Sequence, residues 1–269
     1  MNITVYPVPT INSVTPNYGP LAGGTTVQIT GNNFLTANNV LFSTSNAASF
    51  IINNDHLITA VTPNATNAGV VDVAVVNPAI TSTAVNADHF TYYNTPVVTG
   101  LSTSNGTLAG GGIITLTGNY FTGASSVVFG TTPATSFTVN SDTQITAVEP
   151  TLGLGSYNII VTTNGGASTS NASNLLTTYA IPTITVISTN NGPISGGAPI
   201  VITGSNFNAV STVNFGTTPV ATFTVNSSTQ ISTVVPAGAV GSVDISVRTP
   251  GGVSPATSAD QYAYYSTVE

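Results

Sequence analysis

Two histidines and eight carboxylates are the residues of this chain whose chemistry could go beyond packing. His56 and His89 are each preceded by an aspartate, Asp55 and Asp88. An Asp/His pair can bind a metal or move a proton. Neither imidazole has a second histidine or a cysteine beside it to complete a zinc site. The carboxylates (Asp55, Asp72, Asp88, Asp142, Glu149, Asp244, Asp260, Glu269) are scattered. Calcium takes several oxygen ligands, usually from clustered acids, and no Asp-x-Asp-x-Asp run occurs. The expectation is therefore surface or loop histidines and no metal, with calcium at a domain junction as the alternative. The clusters Gly110-Gly111-Gly112 and Gly196-Gly197 are not phosphate cradles, because that motif needs a lysine and the chain has none. No Gly-x-Ser-x-Gly elbow is present. No catalytic residue and no cofactor are expected. Sequons at Asn2, Asn64, Asn105, Asn171 and Asn226 allow glycosylation, but several are expected by chance in so Asn/Thr-rich a chain.

Composition narrows the field further. Of 269 residues only Arg248 is a strong base, the formal net charge is −7, and charged residues make up 3%. Without a row of cations the chain cannot neutralise phosphates, which excludes nucleic acid as a partner. Without cysteine there is no disulfide frame and no thiol chemistry. No apolar run reaches the ~18 residues of a spanning helix, so membrane insertion is not expected. The opening MNITVYPVPT has neither a basic region nor an apolar core, so it does not read as a signal peptide. Hydrophobic residues at 41% suffice for packed cores.

Those cores come in three copies. Pro9, Pro96 and Pro182 mark equivalent points, as do Gly31, Gly118 and Gly204, and Phe34, Phe121 and Phe207, at spacings of 87 and 86. A second block ends at Pro63, Pro150 and Pro236 with the same spacings. Self-similarity at a fixed period is the mark of a repeated folding unit. Within each unit apolar residues alternate: Val27 and Ile29, Val40 and Phe42, then Val71, Val73 and Val75, with counterparts in the other two. Period-2 alternation rich in Val, Ile, Thr, Phe and Tyr reads as half-buried strands. Asn164-Gly165-Gly166 and Pro250-Gly251-Gly252 read as hairpin turns in which glycine supplies the positive φ that a primed turn requires. The fold class is all-β. The units are an extension at 1–7, repeats at 8–94, 95–180 and 181–269, and short proline-bearing joints between repeats. About 86 residues match one immunoglobulin-like sandwich. Three in line predict a rod of roughly 90–100 Å.

The stretch Pro9 to Phe34, reading Pro-Thr-Ile, Gly-Pro-Leu-Ala-Gly-Gly-Thr and Ile-Thr-Gly-Asn-Asn-Phe, resembles the IPT/TIG domain. That immunoglobulin-like fold occurs in plexins and related receptors, Rel-type transcription factors and many bacterial, archaeal and viral surface proteins. The resemblance recurs three times, over about residues 8–266. Its structural positions would be Pro9, Gly24, Gly31 and Phe34; Pro96, Gly112, Gly118 and Phe121; and Pro182, Gly197, Gly204 and Phe207. The second copy departs with Asn105-Gly106-Thr107, and the first with Phe42-Ser43-Thr44-Ser45-Asn46, which puts loop shape in question. The resemblance implies a spacer, stalk or interaction module and brings no catalytic residues.

The near-absence of charge then bears on role. Outward strand positions such as Leu41, Ala74, Val128, Ile160 and Val201 are apolar or small, where a free monomer would carry lysine or glutamate against edge pairing. The leading expectation is a non-enzymatic extracellular structural protein that polymerises with itself: a filament, sheath, stalk or virion fibre at a cell or virion surface. Ile3 and Val5 would form a strand that joins a neighbouring subunit. The alternatives are an adhesin or glycan-binding stalk for a glycan or host-surface ligand, with Tyr18 or Tyr120 as exposed aromatics, and the accessory domains of a larger secreted enzyme.

Overall fold

A computed structural model describes residues 6–266; the proposed assembly strand at Ile3 and Val5 lies outside them. The first repeat has nine strands: β1 (Thr10–Thr15), β2 (Tyr18–Pro20), β3 (Thr26–Asn32), β4 (Asn39–Phe42), β5 (Ser45–Asn46), β6 (Ser49–Asn54), β7 (Leu57–Val61), β8 (Gly69–Val76) and β9 (His89–Tyr93). They form two sheets, in the orders β1-β3-β7-β6 and β2-β9-β8-β4-β5. Pairing is antiparallel except for β2, which runs parallel to β9. The second and third repeats reproduce both sheets and add a short hairpin strand, Gly166–Ala167 and Gly252–Val253. Three tandem sandwiches result, as the alternation implied.

Each sandwich has its own core. In the first, Val27, Ile29 and Ile58 of one sheet meet Val40, Phe42, Val73, Val75 and Phe90 of the other, with Phe34 beneath them. The alternating residues face inward because successive side chains on a strand point to opposite faces. The second and third cores repeat this around Leu116, Phe121 and Ile159, and around Ile202, Phe207 and Ile245. Pro9, Pro96 and Pro182 are buried at the entrance to the first strand of each repeat.

The loop departures leave the sandwich intact. Ser43 takes a left-handed φ of 55°, where Gly130 and Gly216 take 62° and 59°, so the first repeat makes the same turn without glycine. Asn105–Thr107 pairs in parallel with Thr177–Tyr179, as β2 does with β9.

Two expectations need correction. The hairpin tips are not turns with positive φ at their central residues. Neither Asn164 nor Gly165 has one, and the positive values fall on Gly166 (97°) and, in the third repeat, Gly252 (131°). Gly112 is also out of register with Gly24 and Gly197. Gly24, Gly111 and Gly197 share φ of 80°, 81° and 92°, each with open space where a side chain would be. Gly112 instead backs onto the buried carboxyl of Glu149. A run of three glycines offers two alignments, and only backbone conformation distinguishes them.

Candidate functional site

The two Asp/His pairs fall apart differently. Nδ1 of His56 lies 3.0 Å from the Gly31 carbonyl oxygen, while Asp55 accepts from the amide of Leu35 at 3.3 Å. Both ends of that pair serve the loop around Phe34. His89 turns from its sequence neighbour to Asp72, with Nε2 3.3 Å from Oδ1. Strand register makes this pairing, since Asp72 lies opposite His89 across β8 and β9. Asp88 lies beneath, so that one donor atom from each of Asp72, Asp88 and His89 falls within 4.8 Å of the others. Three donors are fewer than calcium takes, and fewer than close a structural zinc site. The side chains of His89 and Asp72 are 42% and 54% exposed, so the arrangement is a surface imidazole–carboxylate contact above a buried acid. In the third repeat Gln261 replaces His89 opposite Asp244.

Asp88 caps a single 3₁₀ turn, Asn86–Asp88, that leads into β9. Its Oδ2 accepts from the amide of Val85 at 2.8 Å. Burial raises its pKa, and the neighbouring Asp72 adds to the rise against the lowering pull of Val85 and His89. Asp260 repeats the cap, accepting from the amide of Thr257 at 2.9 Å, and burial raises its pKa too. The second repeat uses Asn174 in that place. Its own buried acid is Glu149, whose pKa burial raises although the amide of Thr107 donates to Oε1 at 3.0 Å. Asp142 shifts the other way: the hydroxyl and amide of Thr122 and the amide of Tyr120 hold it below the usual carboxylate range.

Gly31, Gly118 and Gly204 are steric necessities. A Cβ on Gly31, Gly118 or Gly204 would lie 1.9 Å from the carbonyl oxygen of Thr10, Val97 or Thr183 and within 2.6 Å of Cζ of Phe34, Phe121 or Phe207. These positions build the sandwich.

Sequence reasoning missed a contact at the joints. A Cβ on Gly165 would lie 1.9 Å from the Asn94 carbonyl oxygen, and one on Gly251 would lie 2.2 Å from that of Ala180. Thr95 Oγ1 donates to the Gly165 carbonyl at 3.0 Å. In the first repeat, Asn77 Nδ2 donates from the equivalent hairpin to the Pro7 carbonyl at 2.8 Å. Each hairpin therefore grips the segment that enters its own domain. The glycines are needed there for close approach, and the only sequence signal was the Gly-Gly pair itself.

The edges of the two sheets differ. The second sheet ends in strands of two or three residues, four of them bearing proline: Tyr18–Pro20, Thr132–Pro133, Asn191–Pro193 and Thr218–Pro219. Short strands and proline blunt an edge against pairing. The first sheet ends in longer strands without proline or charge: β1 and β6, then Val97–Leu101 and Ser136–Ser141, then Thr183–Ile187 and Phe223–Ser227. A bulge interrupts each near one end. Ile51 is 66% exposed on β6. The outward residues Leu41 and Ala74, and Val128 and Ile160, are cross-strand partners and already half-buried within the monomer. Val201 is half-buried opposite Ser232. The apolar exposure thus lies on edges and loops more than on sheet faces. Tyr18 and Tyr120 are exposed, and Tyr18 stands edge-on to Tyr93 at 6.5 Å between ring centroids. No described helix is long and apolar enough to cross a membrane.

Comparison with known proteins bears on the family. The chain is 32% identical over 209 residues to mouse (Mus musculus) Fibrocystin-L, a match covering 76% of this chain and 5% of that protein. It spans a small fraction of that relative's length. Among solved structures, the plexin A4 extracellular region aligns over 96% of this chain and 24% of its own at 18% identity and TM-score 0.40. A protein crystallised with a xylogluco-oligosaccharide aligns over 95% and 60% at 21% identity and TM-score 0.40. The model of the IPT/TIG domain matches residues 9–92, 96–179 and 182–264. The chain therefore belongs to the IPT/TIG domain family, of which it carries three tandem copies.

Proposed function

We propose that the chain is a non-enzymatic extracellular structural protein, a rod of three sandwiches at 8–94, 95–180 and 181–269 that associates with its own copies through the edges of the first sheet. The observation that supports this most is the contrast between edges. In every repeat one sheet is closed off by short, mostly proline-bearing strands, and the other presents five- or six-residue strands with no charge. An uncharged edge is a template for another strand. Sedimentation and light scattering across a concentration series test the reading. Mass should grow with concentration, and lysine at Ile51, Thr138 and Val225 together should restore a monomer. A wild-type chain that stays monomeric at millimolar concentration overturns it.

A second reading, a glycan-binding stalk, draws on the Tyr18–Tyr93 pair, whose two exposed rings offer an apolar surface of the kind sugars stack on. Glycan-array binding that is lost in a Tyr18→Ala, Tyr93→Ala double variant would support it. An array without a hit would remove it.

A further inference from the structure

The three 3₁₀ caps share one geometry with two chemistries. In the second repeat the fully buried Asn174 satisfies both ends of its amide. Oδ1 accepts from the amide of Asn171 at 3.0 Å and from Nδ2 of Asn158, while Nδ2 donates to the Thr169 carbonyl at 2.9 Å. Asp88 and Asp260 occupy the same place, 86 residues to either side, and are equally buried. Each uses Oδ2 as Asn174 uses Oδ1, to accept from the residue three positions earlier. Each then has a buried Oδ1 with no partner among the described residues. By the repeat, that orphan oxygen corresponds to the Nδ2 donor of Asn174, and the carbonyl that would receive its proton corresponds to that of Thr169: Thr83 in the first repeat and Pro255 in the third. A carboxylate oxygen against a carbonyl is two acceptors with nothing between them, and a buried unsatisfied acceptor is costly. The residue that donates to Asn174 is also exchanged, since Asn158 becomes Asp72 or Asp244.

We infer that Asp88 and Asp260 are held as neutral carboxylic acids, each donating its Oδ1–H to that carbonyl in place of an asparagine amide, and that this proton fastens the last strand of the first and third domains. Among the described residues the other titratable groups around Asp88 are Asp72 and His89, since β1, which packs on the cap, carries none. Around Asp260 they are Asp244 and, farther along the same strand, Arg248, since Thr183–Ile187 carries none. Burial favours the neutral form in both. The sign follows from linkage. Below the pH at which a free aspartate ionises, folded and unfolded chains bind the proton equally. Above it only the folded state keeps the proton, so stability falls with rising pH until the buried acid ionises as well. Acid therefore fastens domains one and three, and the second domain, with Asn174, lacks this response at its cap.

Carbonyl NMR on the full chain should show two aspartates, assigned to Asp88 and Asp260, titrating above the rest. Amide exchange, corrected for its intrinsic pH dependence and read in a Glu149→Gln background that removes the separate buried acid of the second domain, should show protection of His89–Tyr93 and Gln261–Tyr265 falling by up to tenfold per pH unit above about 4, while Leu175–Tyr179 does not follow. The Asp88→Asn, Asp260→Asn double variant should fold, lose this slope and be at least as protected as the wild type at pH 7. Aspartates at both positions that titrate at or below about 4, or a double variant that keeps the slope, overturn the inference. Should the double variant fail to fold, the wild-type carbonyl titration decides alone.

Discussion

A methyl group on Gly118 would sit 2.5 Å from Cζ of Phe121 and 1.9 Å from the carbonyl oxygen of Val97. Glycine and phenylalanine are three residues apart, and the bare Cα lets the ring fold back beneath the strand. Gly118→Ala should therefore destabilise the second domain by about 3 kcal/mol, near the upper end of overpacking costs. Gly111→Ala meets open space at φ 81°, and the left-handed backbone alone should cost about 1–2 kcal/mol. Chemical denaturation of both variants checks the ranking, and equal losses would contradict it.

The joints predict a different response. Gly165→Ala pushes against the Asn94 carbonyl, which belongs to the segment entering the domain and not to its core. The angle between the first and second domains should change while the core stays packed. Small-angle scattering and residual dipolar couplings would show a reoriented pair, with a smaller loss of stability than Gly118→Ala produces.

Tyr92 and Tyr264 each donate a hydroxyl to a carbonyl at 2.9 Å, of Pro63 and Pro236. Phenylalanine at either position should cost about 1 kcal/mol. Burial pushes the Tyr92 phenol up to about 12, so the fold favours the neutral form. Its contribution is whole below pH 10 and is lost as pH rises from about 10 to 12. Tyr92→Phe should flatten the alkaline limb of the first domain's stability profile, read by far-ultraviolet circular dichroism.

Acid behaviour in the second domain rests on two opposed carboxyls. Glu149 is raised by burial, so the domain loses its contribution as pH climbs above the ordinary glutamate value. Asp142 is lowered by Thr122 and Tyr120, so its contribution is present above the ordinary aspartate value and fades as pH falls through the lowered one. Glu149→Gln should remove the decline toward neutral pH, and Asp142→Asn should remove the decline in strong acid. Midpoints of unfolding between pH 2 and 7 would separate them.

Sequence alone determined the threefold repeat, the all-β class and the inward set, because period-2 alternation and an 86–87-residue spacing are local facts about which side chains share a face. Gly31 and Phe34 were legible for the same reason, as near neighbours in the chain. The rest was decided between strands. His89 chose Asp72 over the adjacent Asp88 because register put them opposite each other, and Gly165 was fixed by a carbonyl of Asn94, on a segment 71 residues earlier. Gly111 displaced Gly112 because a backbone dihedral has no letter in the sequence. The contrast between guarded and open sheet edges also needed the tertiary structure, since which strand lies outermost depends on pairings that close only when the whole sandwich has formed.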